Sequence, residues 1–199
     1  MVFDLVQALE IPLEQELALC LLNGLVTDTR CFRTSNTTSR VLAIATQLME
    51  AGADLNLITE RALNRKPLST IRLWGQALPG VQLHNRIIWA EITQQMRQMA
   101  GASDSDGDGG LVSFLVGAHE VDVAVVFTEK SDGKVEVGFR ANPGYNVADL
   151  ALSLGGGGHP QAAGCTLVGP LSEVRARVLD LLDRTLAEQR RVRHDGHRP

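Results

Sequence analysis

Apolar residues in the first third of the chain recur at the spacing of a helix. Four leucines after Pro12 stand four residues apart, at Leu13, Leu17, Leu21 and Leu25. A proline suits the first turn of a helix, and a four-residue repeat keeps the leucines on one side of it. Further apolar stripes over residues 41–49, and from Asp54 to a point before Pro67, predict two more helices. Residues 1–66 are therefore expected to be mostly helical.

After Pro67 the pattern changes to the two-residue alternation of strands. Residues 81–83 and 87–92 predict two short strands, and residues 93–100 predict a helix after them. A second hairpin is predicted more strongly, because apolar residues alternate on both sides of the turn sequence 131–133. The alternating positions are Val121, Val123, Val125 and Phe127 before the turn, and Val135, Val137 and Phe139 after it.

The last part of the chain predicts a helix, a strand and a second helix. Asn146 caps the first helix, four glycines end it, residues 165–168 form the strand, and Ser172 begins the final helix. Residues 190–199 contain almost no apolar residue, which is typical of a solvated tail. Helices followed by a mixed hairpin-and-helix unit indicate an α/β (α+β) chain. We expect three parts: residues 1–66, residues 67–188 and a basic disordered tail over residues 189–199.

Composition excludes several classes of protein. The chain has 199 residues, of which 44% are hydrophobic and 21% charged, so it can bury a core. No apolar run approaches the length of about 18 residues that spans a bilayer, and the N-terminus has no export signal. We therefore expect a cytoplasmic protein without a membrane partner. Its three cysteines form no CxxC pair, which argues against both a disulfide framework and a zinc site.

The net charge of −4 is unevenly distributed. Residues 184–199 hold five basic and two acidic residues, so residues 1–183 carry 14 basic and 21 acidic residues, a net charge of −7. This negative net charge argues against binding of long nucleic acid, which requires many basic residues to neutralise its phosphates. The charge favours a local site for something small and charged.

The candidate chemistry is concentrated in residues 155–164, Gly-Gly-Gly-Gly-His-Pro-Gln-Ala-Ala-Gly. Residues without Cβ let the backbone approach a ligand and present several N–H groups together, and an imidazole adds a donor or a proton carrier. The alternative is a flexible linker, but the segment lies between a capped helix and a buried strand. We favour a phosphate site that includes Gly156, Gly157, Gly158 and His159.

Arg140 is the second candidate. It lies on the hairpin strand, on the face opposite its apolar residues, and its guanidinium offers a fork of donors that suits phosphate or carboxylate. On this strand alone an ordinary solvated arginine is an equal alternative. The helix between Arg140 and the glycines could return both to one sheet edge, which favours binding.

Two acidic segments give weaker signals. Thr27-Asp28-Thr29 ends an apolar helix, where a lone aspartate usually forms a cap or turn, and residues 1–66 contain no histidine and no DxD pair. Residues 104–109 match the opening of a calcium loop, but Leu115 stands where the closing glutamate belongs. We interpret this second segment as an acidic surface loop.

These motifs together resemble the DHH phosphoesterases. The resemblance rests on Gly-Gly-Gly-His followed by Ala-Ala-Gly, an arginine strand just upstream, and Thr-Asp-Thr followed by Phe32-Arg33, and it runs from about Leu13 to Leu186. It is closest to the oligoribonuclease and pAp-phosphatase type, with its C-terminal DHH-associated domain. The resemblance implies a helical remnant of a catalytic domain in residues 1–66 and a mixed-sheet α/β substrate-binding domain in residues 67–188.

The same resemblance implies roles for individual residues. Asp28 would be the last metal-ligating aspartate of a manganese centre, and Arg140, Gly157, Gly158 and His159 would hold the nucleotide's phosphate. The early aspartate motif and the Asp-His-His motif would precede residue 1, and Arg30 stands where these enzymes usually have glycine. We therefore expect Mn²⁺ in the complete enzyme, with no stable binding by this chain alone.

Three hypotheses about function remain open. The chain is the substrate-binding part of a manganese-dependent phosphoesterase for short oligonucleotides, dinucleotides or pAp, inactive without the missing half. Alternatively, it is a non-catalytic module that binds a nucleotide or RNA, because such domains also resemble one appended to alanyl-tRNA synthetase. The third hypothesis is an assembly element in which residues 1–66 pair with a second copy as a homodimer.

Overall fold

The computed structural model describes residues 1–34 and 36–195, and the chain divides into two units, Met1–Lys66 and Pro67–Pro199. The helices of the first unit are α1 (Val2–Ala8), α2 (Gln15–Asp28), α3 (Ser39–Glu50) and α4 (Leu55–Thr59), the last continued by a wider helical turn over Glu60–Asn64. Side chains cap two of them. Thr38 accepts a hydrogen bond from the Val41 amide (3.3 Å) and Asp54 from the Leu57 amide (3.0 Å).

The core of the first unit is small. Ala18, Leu22 and Val26 of α2 are buried and pack with residues of α3 and α4. The buried stripe of α2 therefore lies one residue along from the leucine stripe that the sequence predicts. Leu13, Leu21 and Leu25 remain beside the core, because a stripe that faces a core is about 100° wide and includes half-buried flanking positions.

In the second unit, six strands among the described residues form one mixed sheet in the order β1-β2-β3-β4-β6-β5. Only the pairing of β2 with β3 is parallel in this sheet. The strands are β1 (Gln82–His84), β2 (Ile87–Ile92), β3 (Val123–Glu129), β4 (Lys134–Ala141), β5 (Gly157–His159) and β6 (Ala162–Val168). The helices of this unit are α5 (Leu68–Ala77), α6 (Gln94–Ala100), α7 (Leu111–Leu115), α8 (Ala148–Ser153) and α9 (Leu171–Asp195).

Helices cover the two faces of the sheet unequally. One face packs against α8 and α9 in a core that includes Phe127 and Phe139. On the other face, α5, α6 and α7 cover β2 and β3 through residues such as Leu73, Leu111 and Val126. Beyond α7, that second face of β4, β6 and β5 remains partly exposed among the described residues. This uncovered part of the sheet is where a ligand can approach.

Several elements differ from those expected. The sequence patterns do not predict α1, α5 and α7, and residues 157–159 form a strand where the sequence predicts an irregular glycine segment. On helix α9 the sequence predicts Val174, Val178, Leu181 and Thr185 on the buried side, whereas the structure buries Val174, Val178, Leu182 and Leu186. The physical reason is the exact four-residue spacing of the buried set, which keeps one side of the helix against the sheet.

Helix α9 also continues to Asp195, past residue 188, where the sequence predicts a disordered tail. Arg190 is held there, because it donates hydrogen bonds to the Asn85 carbonyl (2.8 Å) and to Asp122 Oδ2 (3.0 Å). The rest of the predicted tail, residues 196–199, lies outside the described residues.

No single helix in the described part of the chain is both long and apolar enough to cross a membrane. The helices Ser39–Glu50 and Leu55–Ala62, which are bent by 113° at the break between them, reach that length and apolar composition only when they are counted as a pair.

Candidate functional site

The strand register brings Arg140 and His159 into one row. Arg140 of β4 is paired with Ala162 of β6, and Ala162 is paired in turn with His159 of β5. Directly paired residues on neighbouring strands project to the same face of a sheet. Arg140, Ala162 and His159, here named the basic row, therefore share the partly exposed face.

A row without side chains lies beside the basic row. Gly138 of β4 is paired with Gly164 of β6, and Gly164 with Gly157 of β5. We name Gly138, Gly164 and Gly157 the glycine row. With no side chains on three adjacent strands, a ligand on this face can approach the backbone closely.

Arg140 of the basic row and Gly138 and Gly164 of the glycine row line a cleft of about 500 Å³. Gly107, Asp108 and Val112 line its side, next to the covered half of the sheet. Of the predicted site residues, Arg140 and Gly156 line the cleft. Gly157, Gly158 and His159 lie on the adjacent edge strand β5, and all three are exposed. Sequence and structure thus place the predicted phosphate-binding residues in one region.

The glycines of residues 156–158 differ in the space that the fold leaves for a side chain. A Cβ on Gly156 would overlap the Gly164 carbonyl oxygen, and a Cβ on Gly158 would lie 2.5 Å from the Ala162 carbonyl oxygen. Both residues are therefore required by the fold itself. A Cβ on Gly157 would meet no atom within 4 Å. Packing therefore does not explain this glycine.

The side chains of the basic row are differently placed. Arg140 is half-buried, and its Nη1 donates a hydrogen bond to the Phe139 carbonyl at 2.9 Å. That contact orients the guanidinium against the strand that carries it. His159 is exposed, and its imidazole has no hydrogen-bond partner among the described residues.

The side of the cleft depends on Arg97, a residue that the sequence patterns do not single out. Arg97 of α6 is 2% exposed, and it donates hydrogen bonds to the Ser103 carbonyl (2.6 Å) and the Gly107 carbonyl (2.7 Å). Its Nε has no hydrogen-bond partner among the described residues and lies 3.8 Å from Asp104 Oδ1. Arg97 thus holds the loop that carries Gly107. In the sequence, the one sign of this role is that Arg97 is a charged residue at an inward position of the predicted 93–100 helix.

In the acidic loop, residues 104–109, the carboxylates of Asp104 and Asp108 accept hydrogen bonds from other residues of the protein. Asp108 accepts hydrogen bonds from the Gly110 and Val112 amides, both at 2.8 Å. Hydrogen bonds from Ser131 and Gln94 hold the pKa of the Asp104 carboxyl well below its ordinary value. These carboxylates serve the loop and the start of α7, which agrees with an acidic loop and leaves them poorly placed for calcium.

Asp28 lies in the first unit, as the last residue of α2, and is exposed. It accepts a hydrogen bond from Asn36 Nδ2 at 3.1 Å. A carboxylate at a helix C-terminus is unfavourable, because the helix dipole is negative there. Helix stability therefore does not account for Asp28.

The turn after Asp28 is strained. Arg30, Cys31 and Phe32 all have positive φ angles, of 49°, 60° and 60°. Thr29 supports the turn, since its Oγ1 donates to the Leu25 carbonyl (2.7 Å) and accepts from the Phe32 amide (2.9 Å). The left-handed conformation at position 30 explains why a glycine would suit it.

Residues for a manganese centre do not come together in the part of the chain that the structure describes. Within residues 1–34 and 36–195, no three His, Cys, Asp or Glu side chains are grouped so that they could hold a metal ion. Two aligned metal ions need several carboxylate or imidazole ligands, and Asp28 supplies one. The described residues therefore do not fit a complete metal centre.

One domain family and several curated proteins match this chain. Residues 94–188 match the DHHA1 domain family. The chain is 39% identical over 182 residues to the bifunctional oligoribonuclease and PAP phosphatase NrnA of Thermus thermophilus, covering 90% of this chain and 54% of that protein. It is 28% identical over 166 residues to the enzyme of the same name in Mycoplasma pneumoniae, covering 83% and 50% respectively. The chain thus spans about half the length of these curated relatives.

The fold also matches a solved structure. The crystal structure of an exopolyphosphatase-related protein from Bacteroides fragilis superposes with a TM-score of 0.78 at 21% identity. The match covers 90% of this chain and 52% of that one. The predicted α/β (α+β) fold class is confirmed.

Proposed function

The chain carries a DHHA1 domain and resembles the C-terminal half of the DHH phosphoesterases of oligoribonuclease and PAP phosphatase type, and from this premise we propose its function. It is the substrate-binding part of a phosphoesterase that hydrolyses short oligonucleotides, dinucleotides or pAp. Its partner is the phosphate end of such a ligand. Hydrolysis requires the half that precedes this one in the relatives.

The observation that carries the proposal is the basic row beside the glycine row. Arg140 and His159 are two strand spacings apart, so their Cα atoms are about 10 Å from each other on one face. This separation leaves room for a phosphate between a guanidinium and an imidazole. The absence of a packing reason for Gly157 supports a ligand that rests on the backbone there.

The two side chains would contribute differently. The guanidinium of Arg140 is charged at every physiological pH and offers paired donors to phosphate oxygens. The imidazole of His159, on the exposed edge strand, would donate a hydrogen bond to a second oxygen or move a proton at the phosphate. Together they would position the phosphorus centre and stabilise the charge that develops on its oxygens.

Manganese belongs to the proposal for the complete enzyme. Asp28 would be one ligand among several, the others supplied outside this chain. The unfavourable place of its carboxylate at the end of α2 supports a role toward a cation.

The second candidate is a binding module that holds a nucleotide or an RNA end without chemistry. It is favoured by one observation, that the described residues contain no group of metal-ligating side chains. Association of two copies through residues 1–66 is compatible with either candidate. The exposed apolar residues Val2, Leu5 and Leu9 support such a contact.

Titration of the chain with pAp and with adenosine tests phosphate recognition. We expect pAp to bind and adenosine to bind at least tenfold more weakly, because each charge-assisted hydrogen bond to phosphate contributes about 1.5–3 kcal/mol. Equal affinities, or no binding of pAp, would overturn the proposal.

In a second assay, the chain incubated with pAp and Mn²⁺ should release no phosphate. Release would show that the chain alone assembles the metal centre.

A further inference from the structure

A third row of the cleft has no part in phosphate binding. Thr128 of β3 is paired with Glu136 of β4, and Glu136 with Thr166 of β6. All three residues line the cleft. We name Thr128, Glu136 and Thr166 the polar row. It lies beyond the glycine row, four residues along β4 from Arg140.

Thr128 is the observation that points to a ligand. Its side chain sits in a strand whose other residues from 123 to 127 are apolar, and it is 3% exposed. Its hydroxyl forms no hydrogen bond with any described residue, and it is not one of the buried unpaired polar atoms of the described chain, so water reaches it from the cleft. Valine has nearly the same shape without the hydroxyl, so packing does not explain the threonine. A ligand in the cleft can replace that water as the partner of the hydroxyl.

Glu136 is an acceptor whose charge is compensated. Its Oε2 lies 2.6 Å from Lys130 Nζ, and Lys130 Nζ also donates to the Asp104 carbonyl at 2.9 Å. Its Oε1 has no hydrogen-bond partner among the described residues. The ion pair reduces repulsion between this carboxylate and a ligand that carries phosphate. Oε1 can therefore accept a hydrogen bond from a bound anionic molecule.

The spacing of the rows fits one nucleotide. Four residues of extended strand separate Arg140 from Glu136, a distance of about 13 Å. With the phosphate at the basic row, the glycine row would lie beneath the ribose, and the polar row would face the far edge of the base. A carboxylate there accepts from the amino groups of bases, as it does in nucleic-acid recognition.

We propose that the polar row recognises the nucleobase of the bound nucleotide and prefers a base with an exocyclic amino group. This inference rests on the proposed function, since it assigns the base to the same cleft that holds the phosphate. Glu136 accepts from the amino group, and the hydroxyls of Thr128 and Thr166 complete the hydrogen bonds of the base edge.

Adenosine and inosine monophosphates separate this proposal from phosphate binding. Both contain a phosphate, a ribose and a purine ring. At position 6 of the purine, adenosine monophosphate has an amino group and inosine monophosphate has a carbonyl group. By calorimetric titration we expect the chain to bind adenosine monophosphate about tenfold more tightly. In Glu136→Gln the amide also donates to a carbonyl, so the preference should fall below about twofold.

Two further variants make the experiment specific. Glu91→Gln is the matched control, because Glu91 is also a strand glutamate in an ion pair, with Arg175 Nη1 at 2.5 Å. It should keep the preference of the unchanged chain. Thr128→Val should weaken binding of adenosine monophosphate several-fold while the midpoint of urea unfolding stays the same or rises. A hydroxyl with only a structural role would lower that midpoint.

Ribose 5-phosphate distinguishes the possible failures. If it binds as tightly as both nucleotides, base recognition is wrong and phosphate binding stands. Equal affinities for the two nucleotides, unchanged by Glu136→Gln, would likewise overturn the base subsite alone. If none of the three compounds binds, both the base subsite and the proposed function are wrong.

Discussion

Arg140 and His159 are both paired with Ala162, one from each side, although 19 positions of sequence separate them. Helix α8 and the glycine run return the chain to the sheet so that β5 pairs with the far edge of β6. The guanidinium and the imidazole therefore share a face by strand register, with only a methyl group between them. The side chain of Ala162 is small enough to leave the space above it to a ligand.

Removal of Arg140 should weaken binding of pAp. Because a charge-assisted hydrogen bond to phosphate contributes about 1.5–3 kcal/mol, Arg140→Ala should raise the Kd by about 10- to 100-fold in a calorimetric titration. Arg184→Ala is the control, since Arg184 is an exposed arginine paired with Asp180 on α9. A change below threefold at Arg140 would favour an ordinary solvated arginine.

The glycine run should respond differently at neighbouring positions. Gly156→Ala forces a methyl group into the Gly164 carbonyl and should lower the free energy of unfolding by about 3 kcal/mol or more. Gly157→Ala should change it by less than about 1 kcal/mol, and Gly157→Val should remove pAp binding by covering the backbone. Urea unfolding and titration measure the two effects. If Gly157→Val unfolds the chain, this glycine serves backbone geometry first.

Asp122 should make stability depend on acid pH. Its burial opposes ionisation, but hydrogen bonds from Tyr145, Arg86 and Arg190 outweigh burial and hold the pKa of its carboxyl below the ordinary value. A lowered folded pKa stabilises the fold above the unfolded pKa of about 4, and that contribution is lost as pH falls through the folded pKa.

Asp122→Asn should therefore lower the free energy of unfolding by about 1–3 kcal/mol at pH 7. The difference from the unchanged chain should shrink as the pH falls from about 4 towards 3. Urea unfolding at several pH values measures it. Asp180→Asn, which breaks an exposed ion pair, should cost less than about 1 kcal/mol. Equal stability of Asp122→Asn and the unchanged chain at pH 7 would contradict the role of this carboxylate.

The cysteines should differ in reactivity. Burial raises the pKa of the Cys165 thiol to about 11, so little thiolate forms at pH 8, whereas Cys20 is exposed. Alkylation followed by mass spectrometry should label Cys20 in the folded chain well before Cys165, and should label both after unfolding. Labelling of Cys165 at the rate of Cys20 would mean that strand β6 opens readily.

The sequence predicts the hairpin and the motifs because both are local. The alternation of β3 and β4 follows from which residues face the core, and the glycine–histidine run is visible directly. Strand β5 could not be predicted, since glycine has no preference for strands and its pairing with β6 is a tertiary contact. Helix α5 is not predicted from the sequence, because it buries the polar Thr70 and exposes the apolar Ile71, so its apolar residues do not follow the helical period.

The cleft itself depends on register, which periodicity does not give. Thr128, Glu136 and Thr166 lie on three strands, so their row is visible only once the pairing is known. Arg97 and Arg190 look like ordinary charged residues in the sequence. The partners of Arg97 lie in a loop 6 and 10 residues along the chain, and those of Arg190 lie 68 and 105 residues away. Burial of charge is decided by those partners.

The most direct test of the account is a titration of pAp against the unchanged chain, His159→Ala and His84→Ala. Both histidines are exposed and lie on strands at opposite edges of the same sheet, β5 and β1. We expect His159→Ala to raise the Kd for pAp about tenfold or more and His84→Ala to leave it unchanged. Equal affinity of all three proteins for pAp would contradict the assignment of the basic row to phosphate.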